Sequence, residues 1–118
     1  TRTDMAMMGG ITNCKKAIDL SSAGGLDCEI MSWGYTLVSV ANLHLMLSSD
    51  NCSYYEQPLP YNNFEFGMKD VLRTSKDGYM YAPTKPGLGM EIDWDKMMSK
   101  SIYSIACEEG KKISLVHS

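Results

Sequence analysis

A chain of 118 residues and 13.1 kDa has room for one ordinary domain and not for two. Its 44% hydrophobic content permits a core, while a net charge of −3 and a pI near 5.2 offer no basic field to nucleic acid. The longest apolar stretch, YTLVSVANLHLMLSS, is broken by Ser39, Asn42 and His44, which argues against a membrane span. The start, TRTDMAMMGG, lacks the charged-then-apolar pattern of a secretory signal. Cys14, Cys28, Cys52 and Cys107 have no C-x-x-C spacing for zinc and are expected as reduced thiols in a cytoplasmic protein. The ten methionines read as adaptable core filler.

In chain order, DMAMM (4–8) reads as the end of a strand stopped by Gly9-Gly10. Thr12 or Asn13 can cap the helix that follows, where Cys14, Ala17, Ile18 and Ser21 share a face, and Gly24-Gly25 supplies a left-handed end. LDCEIM (26–31) is the second expected strand and SWGY a turn. Thr36 can cap a second helix with an apolar stripe of Leu37, Val40, Ala41, His44 and Leu47. NCSYYEQ (51–57) is a third expected strand, closed by Pro58 and Pro60. Strands alternating with helices over short connections predict parallel βα units, hence an α/β fold.

Beyond Pro60 the pattern changes. Asp77-Gly78, between VLRTS and YMYA, predicts a hairpin turn. PTKPGLGMEIDWDKM (83–97) is an irregular connection with two prolines and two glycines; Gly87 and Gly89 lack the third glycine of a dinucleotide fingerprint, and no Walker lysine follows. Asp93 and Asp95 alternate with Ile92 and Trp94, which predicts a solvated strand face and not a metal pair. DKMMSKSIYSIACEEGKK (95–112) has helical potential. His44 reads as a packed core residue and His117 as part of a disordered end. Neither histidine lies near a nucleophile motif, so a serine or cysteine triad has no support.

DMAMMGGIT, SWG, YYEQP, DGYMYAP and PGLGMEIDWD, in that order and spacing, resemble the C-terminal barrel segment of the mandelate racemase-like branch of the enolase superfamily, over about residues 3 to 98. The resemblance implies strands six to eight of a TIM-type barrel with their helices, then a small hairpin and an extended C-terminal strap. Residues 1–60 would be the barrel units, 61–98 the hairpin and strap, and 99–118 a tail, all in a single partial domain. It also implies a parent enzyme that abstracts a proton α to the carboxylate of a hydroxy acid or acid sugar with the help of Mg2+.

Carried over residue by residue, Asp4 stands five before Gly9, where the family has its sixth-strand aspartate, and barrels put their chemistry at that end of a strand. The family's histidine partner would precede Ser32-Trp33-Gly34; Met31 stands there and cannot accept a proton. Glu56, twenty-five residues after Met31, matches the eighth-strand glutamate that hydrogen-bonds substrate oxygens. That work requires burial or neighbours that keep a carboxylic acid protonated. Asp4 and Glu56 are therefore the catalytic candidates, and Trp33 and Met31 the substrate-binding ones. The family's metal-binding carboxylates and catalytic lysines come from earlier strands, so no metal ligand is assigned here. No Mg2+ is expected on this chain, and alone it is expected to be inactive. The competing expectation is a noncatalytic α/β fragment that only self-associates. In both readings open strand edges favour a homo-oligomer, with no nucleic-acid or membrane partner.

Overall fold

The structure, a computed structural model, describes residues 1–31, 34–106, 110 and 114–117. Strands β1 (Arg2–Thr3) and β2 (Glu29–Ile30) run parallel, Arg2 opposite Glu29 and Thr3 opposite Ile30. Glu29 N–H donates to Thr1 O at 3.0 Å and Met31 N–H to Thr3 O at 2.9 Å. The first strand thus lies ahead of the apolar run and not within it. Asp4 O accepts the Met8 N–H at 3.0 Å, Asp4 Oδ1 accepts that of Met7 at 3.0 Å, and the chain winds into a turn over residues 5–9. A short polar side chain that captures a following N–H favours a turn over an extended strand.

Helix α1 (Ile11–Ala23) connects the strands, with Cys14, Ile18 and Ser21 buried as their spacing predicts. It starts earlier than a Thr12 or Asn13 cap would require: Gly10 is the N-cap, and Asn13 Nδ2 donates to Met8 O at 3.0 Å. Its end is as expected. Gly25 takes φ +68°, Gly25 N–H reaches Ser22 O and Leu26 N–H reaches Ser21 O, each at 2.9 Å, the paired bonds of a Schellman motif.

Helix α2 (Thr36–Leu47) buries more of its circumference than one stripe. Leu45 joins Cys14, Ile18, Cys28 and Ile30 in one core cluster, whereas Val40 and Leu43 pack with Leu72 in another. The helix is sandwiched between the sheet and the excursion after residue 55, so Leu43 is buried while Leu47 lies exposed and His44 half-buried. Tyr35, not Thr36, is the N-cap; the Thr36 hydroxyl donates to Phe64 O at 2.8 Å.

Residues 51–57 form no strand. Cys28 N–H reaches Asn51 O at 2.8 Å and the Glu29 carboxylate accepts the Tyr54 N–H at 3.1 Å, but no ladder forms between the two segments. Gln57 makes side-chain bonds in place of backbone ones, donating to Leu72 O at 2.8 Å and accepting from Thr74 N–H at 3.0 Å. The expected turn is present: Ser75 N–H donates to Tyr79 O at 2.8 Å across Asp77-Gly78, without regular strands on either side.

The strap lies along residues 67–72. Lys69 N–H donates to Glu91 O at 2.9 Å, Asp93 N–H to Gly67 O at 2.8 Å, and Met68 pairs antiparallel with Ile92. Lys85 Nζ reaches Asp70 Oδ2 and Glu91 Oε1, both at 2.8 Å. Asp93 caps the short helix α3 (Trp94–Met98), accepting from Lys96 N–H at 3.0 Å, so Asp93 and Asp95 begin a helix where a strand face was expected. The long C-terminal helix does not form. An antiparallel pair, β3 (Tyr103–Ala106) and β4 (Ser114–His117), takes its place, with His117 opposite Tyr103. Among the described residues no helix is long and apolar enough to cross a membrane.

Candidate active site

Asp4 closes β1 at the end from which the βα connection leaves, and only 4% of it is exposed. Its two carboxylate oxygens have separate donors: Met7 N–H at 3.0 Å on Oδ1 and Asn42 Nδ2 at 2.9 Å on Oδ2. Asn42, fully buried on α2, also donates to Met31 O at 2.7 Å and accepts from Met5 N–H at 3.0 Å. The ends of both strands therefore meet at one side-chain amide. Met31 lies half-buried just past β2, across from Asp4. Trp33 falls outside the described residues.

Glu56 is brought to the same sheet by an ion pair between its Oε1 and the Arg2 guanidinium of β1. The other oxygen, Oε2, is buried and has no hydrogen-bond partner among the described residues. A buried carboxylate oxygen without a donor is uncommon and marks a place where a ligand hydroxyl or N–H would be stabilising. The Arg2 guanidinium engages Oε1 alone and leaves Oε2 as an unused hydrogen-bond acceptor. Asp4 and Glu56 share no hydrogen bond; Glu56 is tied instead to Arg2, two residues before Asp4.

Sequence reasoning missed Arg2 and Asn42. Arg2 carried a usable signal, since alternate residues of a strand share a face and it stands two before Asp4. Asn42 carried another: an amide in the middle of the apolar run VANLHL needs partners if that run is buried.

Among the described residues no group of three or more His, Cys, Asp or Glu side chains comes together to hold a metal ion. Asp4 is engaged with two N–H donors and Glu56 with a cation, whereas Mg2+ requires several free converging oxygens. Among the described residues, then, Asp4 and Glu56 do not make a magnesium site.

Residues 1–96 match the family model of the enolase C-terminal domain-like proteins. The chain belongs to this family. Its fold is accordingly part of an enolase-type α/β barrel. A Pseudovibrio sp. structure assigned to the mandelate racemase/muconate lactonizing enzymes superimposes with a TM-score of 0.83 and 38% identity, covering 99% of this chain and 29% of that one. D-glucarate dehydratase from Agrobacterium tumefaciens, solved in complex with magnesium, gives a TM-score of 0.63 at 32% identity over 77% of this enolase-family chain and 24% of its own. A D-galactonate dehydratase family member of Enterococcus gallinarum (strain EG2) is 29% identical over 94 residues, 78% of this chain and 23% of its own. The chain thus spans about a quarter of the length of each of these relatives.

Proposed function

We propose that this chain is the C-terminal barrel portion, strands six to eight followed by hairpin and strap, of a longer enzyme acting on a hydroxy acid or acid sugar. The reaction removes a proton α to the carboxylate, leading to dehydration, racemisation or cycloisomerisation. Residues 1–60 would serve as barrel units, 61–98 as hairpin and strap, and 99–118 as a tail, in one partial domain. The observation that carries this reading is the Asp4 carboxylate, buried at a strand end beside Met31 and held there by Asn42.

In this reading Asp4 handles the proton without a histidine, because the thioether of Met31 cannot take one. Glu56 presents its unpartnered Oε2 to a donor on the substrate, and Met31 and Trp33 are the substrate-binding candidates. Magnesium, present in the similar glucarate dehydratase structure, would be held by residues outside this chain, and no step here runs through it. The free thiols of Cys14, Cys28 and Cys52 support a cytoplasmic setting.

The test is proton exchange in D2O, followed by NMR, with the full protein carrying this chain, Mg2+, and D-galactonate, D-glucarate and mandelate as probes. Loss of the α-proton signal or appearance of a dehydrated product is expected with at least one probe. Asp4→Asn should lower that rate at least ~10²-fold, the scale of a lost general base. An undiminished rate in Asp4→Asn removes Asp4 from the mechanism.

A further inference from the structure

The two strands stop pairing at a definite place, and the reason is a side chain. In a parallel ladder the bonds alternate evenly from strand to strand. After Glu29 N–H to Thr1 O and Met31 N–H to Thr3 O, the next bond in sequence would run from Met5 N–H to Met31 O. It is replaced by a relay through Asn42. Met5 N–H donates to Asn42 Oδ1 at 3.0 Å, and Asn42 Nδ2 donates to Met31 O at 2.7 Å. The amide is spliced into the ladder at the level of Asp4 and Met31, and its remaining N–H goes to Asp4 Oδ2 at 2.9 Å.

We infer that Asn42 is the positioning residue for Asp4. It ends β1–β2 pairing one step early, holds the two strand ends apart by the width of an amide, and fixes the Asp4 side chain in that gap. Packing alone gives no reason for an asparagine there. The residue is fully buried between Ala41 and Leu43, and an amide in that setting is destabilising unless its polar atoms are used. Both N–H donors and the carbonyl of Asn42 are used, all three on groups at the strand ends. A glutamine would be one methylene too long, and a leucine of similar volume would strand the Asp4 oxygen. The inference deepens the proposed function and rests on it insofar as Asp4 is the reacting carboxylate.

The test is hydrogen-bond scalar coupling by NMR on the full chain, labelled with 15N and 13C. Expected in the unsubstituted protein are couplings from Met5 N to Asn42 Cγ, and from Asn42 Nδ2 to Met31 C′ and Asp4 Cγ. Three-bond couplings should report one χ1 rotamer for Asp4. In Asn42→Ala a direct Met5 N to Met31 C′ coupling should appear, and the Asp4 χ1 couplings should collapse to averaged values. Asn42→Asp keeps the acceptor for Met5 N–H but loses both donors, so it should free Asp4 without closing the ladder. In the exchange assay Asn42→Ala should lower kcat ~10²-fold and leave KM within about twofold, as expected when a reacting group is displaced by about an ångström. A direct Met5-to-Met31 coupling in the unsubstituted protein overturns the proposal, and this measurement requires no variant to fold. An Asp4 rotamer unchanged in a folded Asn42→Ala also overturns it. If the couplings appear as expected while Asp4→Asn turns over normally, the base assignment falls and the role of Asn42 in fixing Asp4 stands.

Discussion

Asp4 and Met31 stand at the ends of two paired strands, and only one of them can carry a proton. The thiols show the same dependence of chemistry on surroundings. Burial in the α1–β2–α2 core, reinforced by the nearby Cys28 thiol and the Glu29 carboxylate, pushes Cys52 up from 9.0 to about 11. The two-unit rise means ~100-fold less thiolate at neutral pH than in an unperturbed cysteine, and the thiolate is the nucleophile. Alkylation of Cys52 by iodoacetamide, followed by peptide mass spectrometry, should therefore be ~100-fold slower than in a model peptide at pH 7. It should rise about tenfold per pH unit up to pH 10. Labelling at the peptide rate would show that the thiol is not held in the core.

At the scale of elements, the strap is the segment whose local chemistry is most exposed to test. Gly89 takes φ +77°, and a Cβ there would meet Pro83 Cβ at 2.3 Å and Lys85 O at 3.3 Å, whereas Gly87 at φ +69° has open space around it. Gly87→Ala should cost only the left-handed backbone term, about 1 kcal/mol. Gly89→Ala should cost about 3 kcal/mol because rigid proline and backbone atoms must also move. Equal losses in chemical denaturation would show that the strap does not fold back on Pro83. The strap also has an electrostatic anchor. The Lys85 ammonium, then the Glu91 N–H, hold the Asp70 carboxyl below the usual carboxylate range. A carboxyl depressed in the folded state contributes stability above its unfolded value, and that contribution is lost as pH falls through the folded one. Acid should therefore loosen the strap below pH ~4. Pepsin cleavage within residues 83–97 should accelerate there, and Asp70→Asn should make cleavage fast even where the carboxyl of the unsubstituted protein is ionised.

At the scale of the whole molecule, a sheet of two short parallel strands has edges open to pairing, and large apolar side chains lie exposed around it. Met7 is 79% exposed, Tyr54 76% and Leu20 75%. Open edges and uncovered apolar surface favour association with another chain. The chain is expected to form a homo-oligomer, a two-fold dimer being the simplest closed form, through residues 4–8, 27–31 or the strap. Light scattering at micromolar concentration should give at least twice the 13.1 kDa of one chain. A monodisperse, well-folded monomer would count against it.

The sequence by itself determined the elements whose signals are local. The buried face of α1 follows from the spacing of Cys14, Ile18 and Ser21, its end from Gly25, the turn from Asp77-Gly78, and the family from motifs kept in order along the chain. What the tertiary structure alone decided are the features that depend on a distant partner. The 4–8 run looked like a strand because its side chains are apolar, yet Asn42, thirty-eight residues beyond Asp4, takes the ladder bond that would have continued it. Residues 51–57 have strand composition, yet past the Cys28 N–H to Asn51 O bond it is the Glu29 side chain, and not its backbone, that meets them. The face of α2 was misjudged because the helix is packed on two sides, Leu45 in the cluster with Cys14 and Ile30 and Val40 and Leu43 against Leu72, and one stripe cannot describe both. Asp4 and Glu56 could be named from the sequence, and Asn42 and Arg2 left a trace in it, but which of them meets which carboxylate did not. Hydrophobic periodicity reports whether a side chain is buried, and only the folded chain determines which polar atom it meets there.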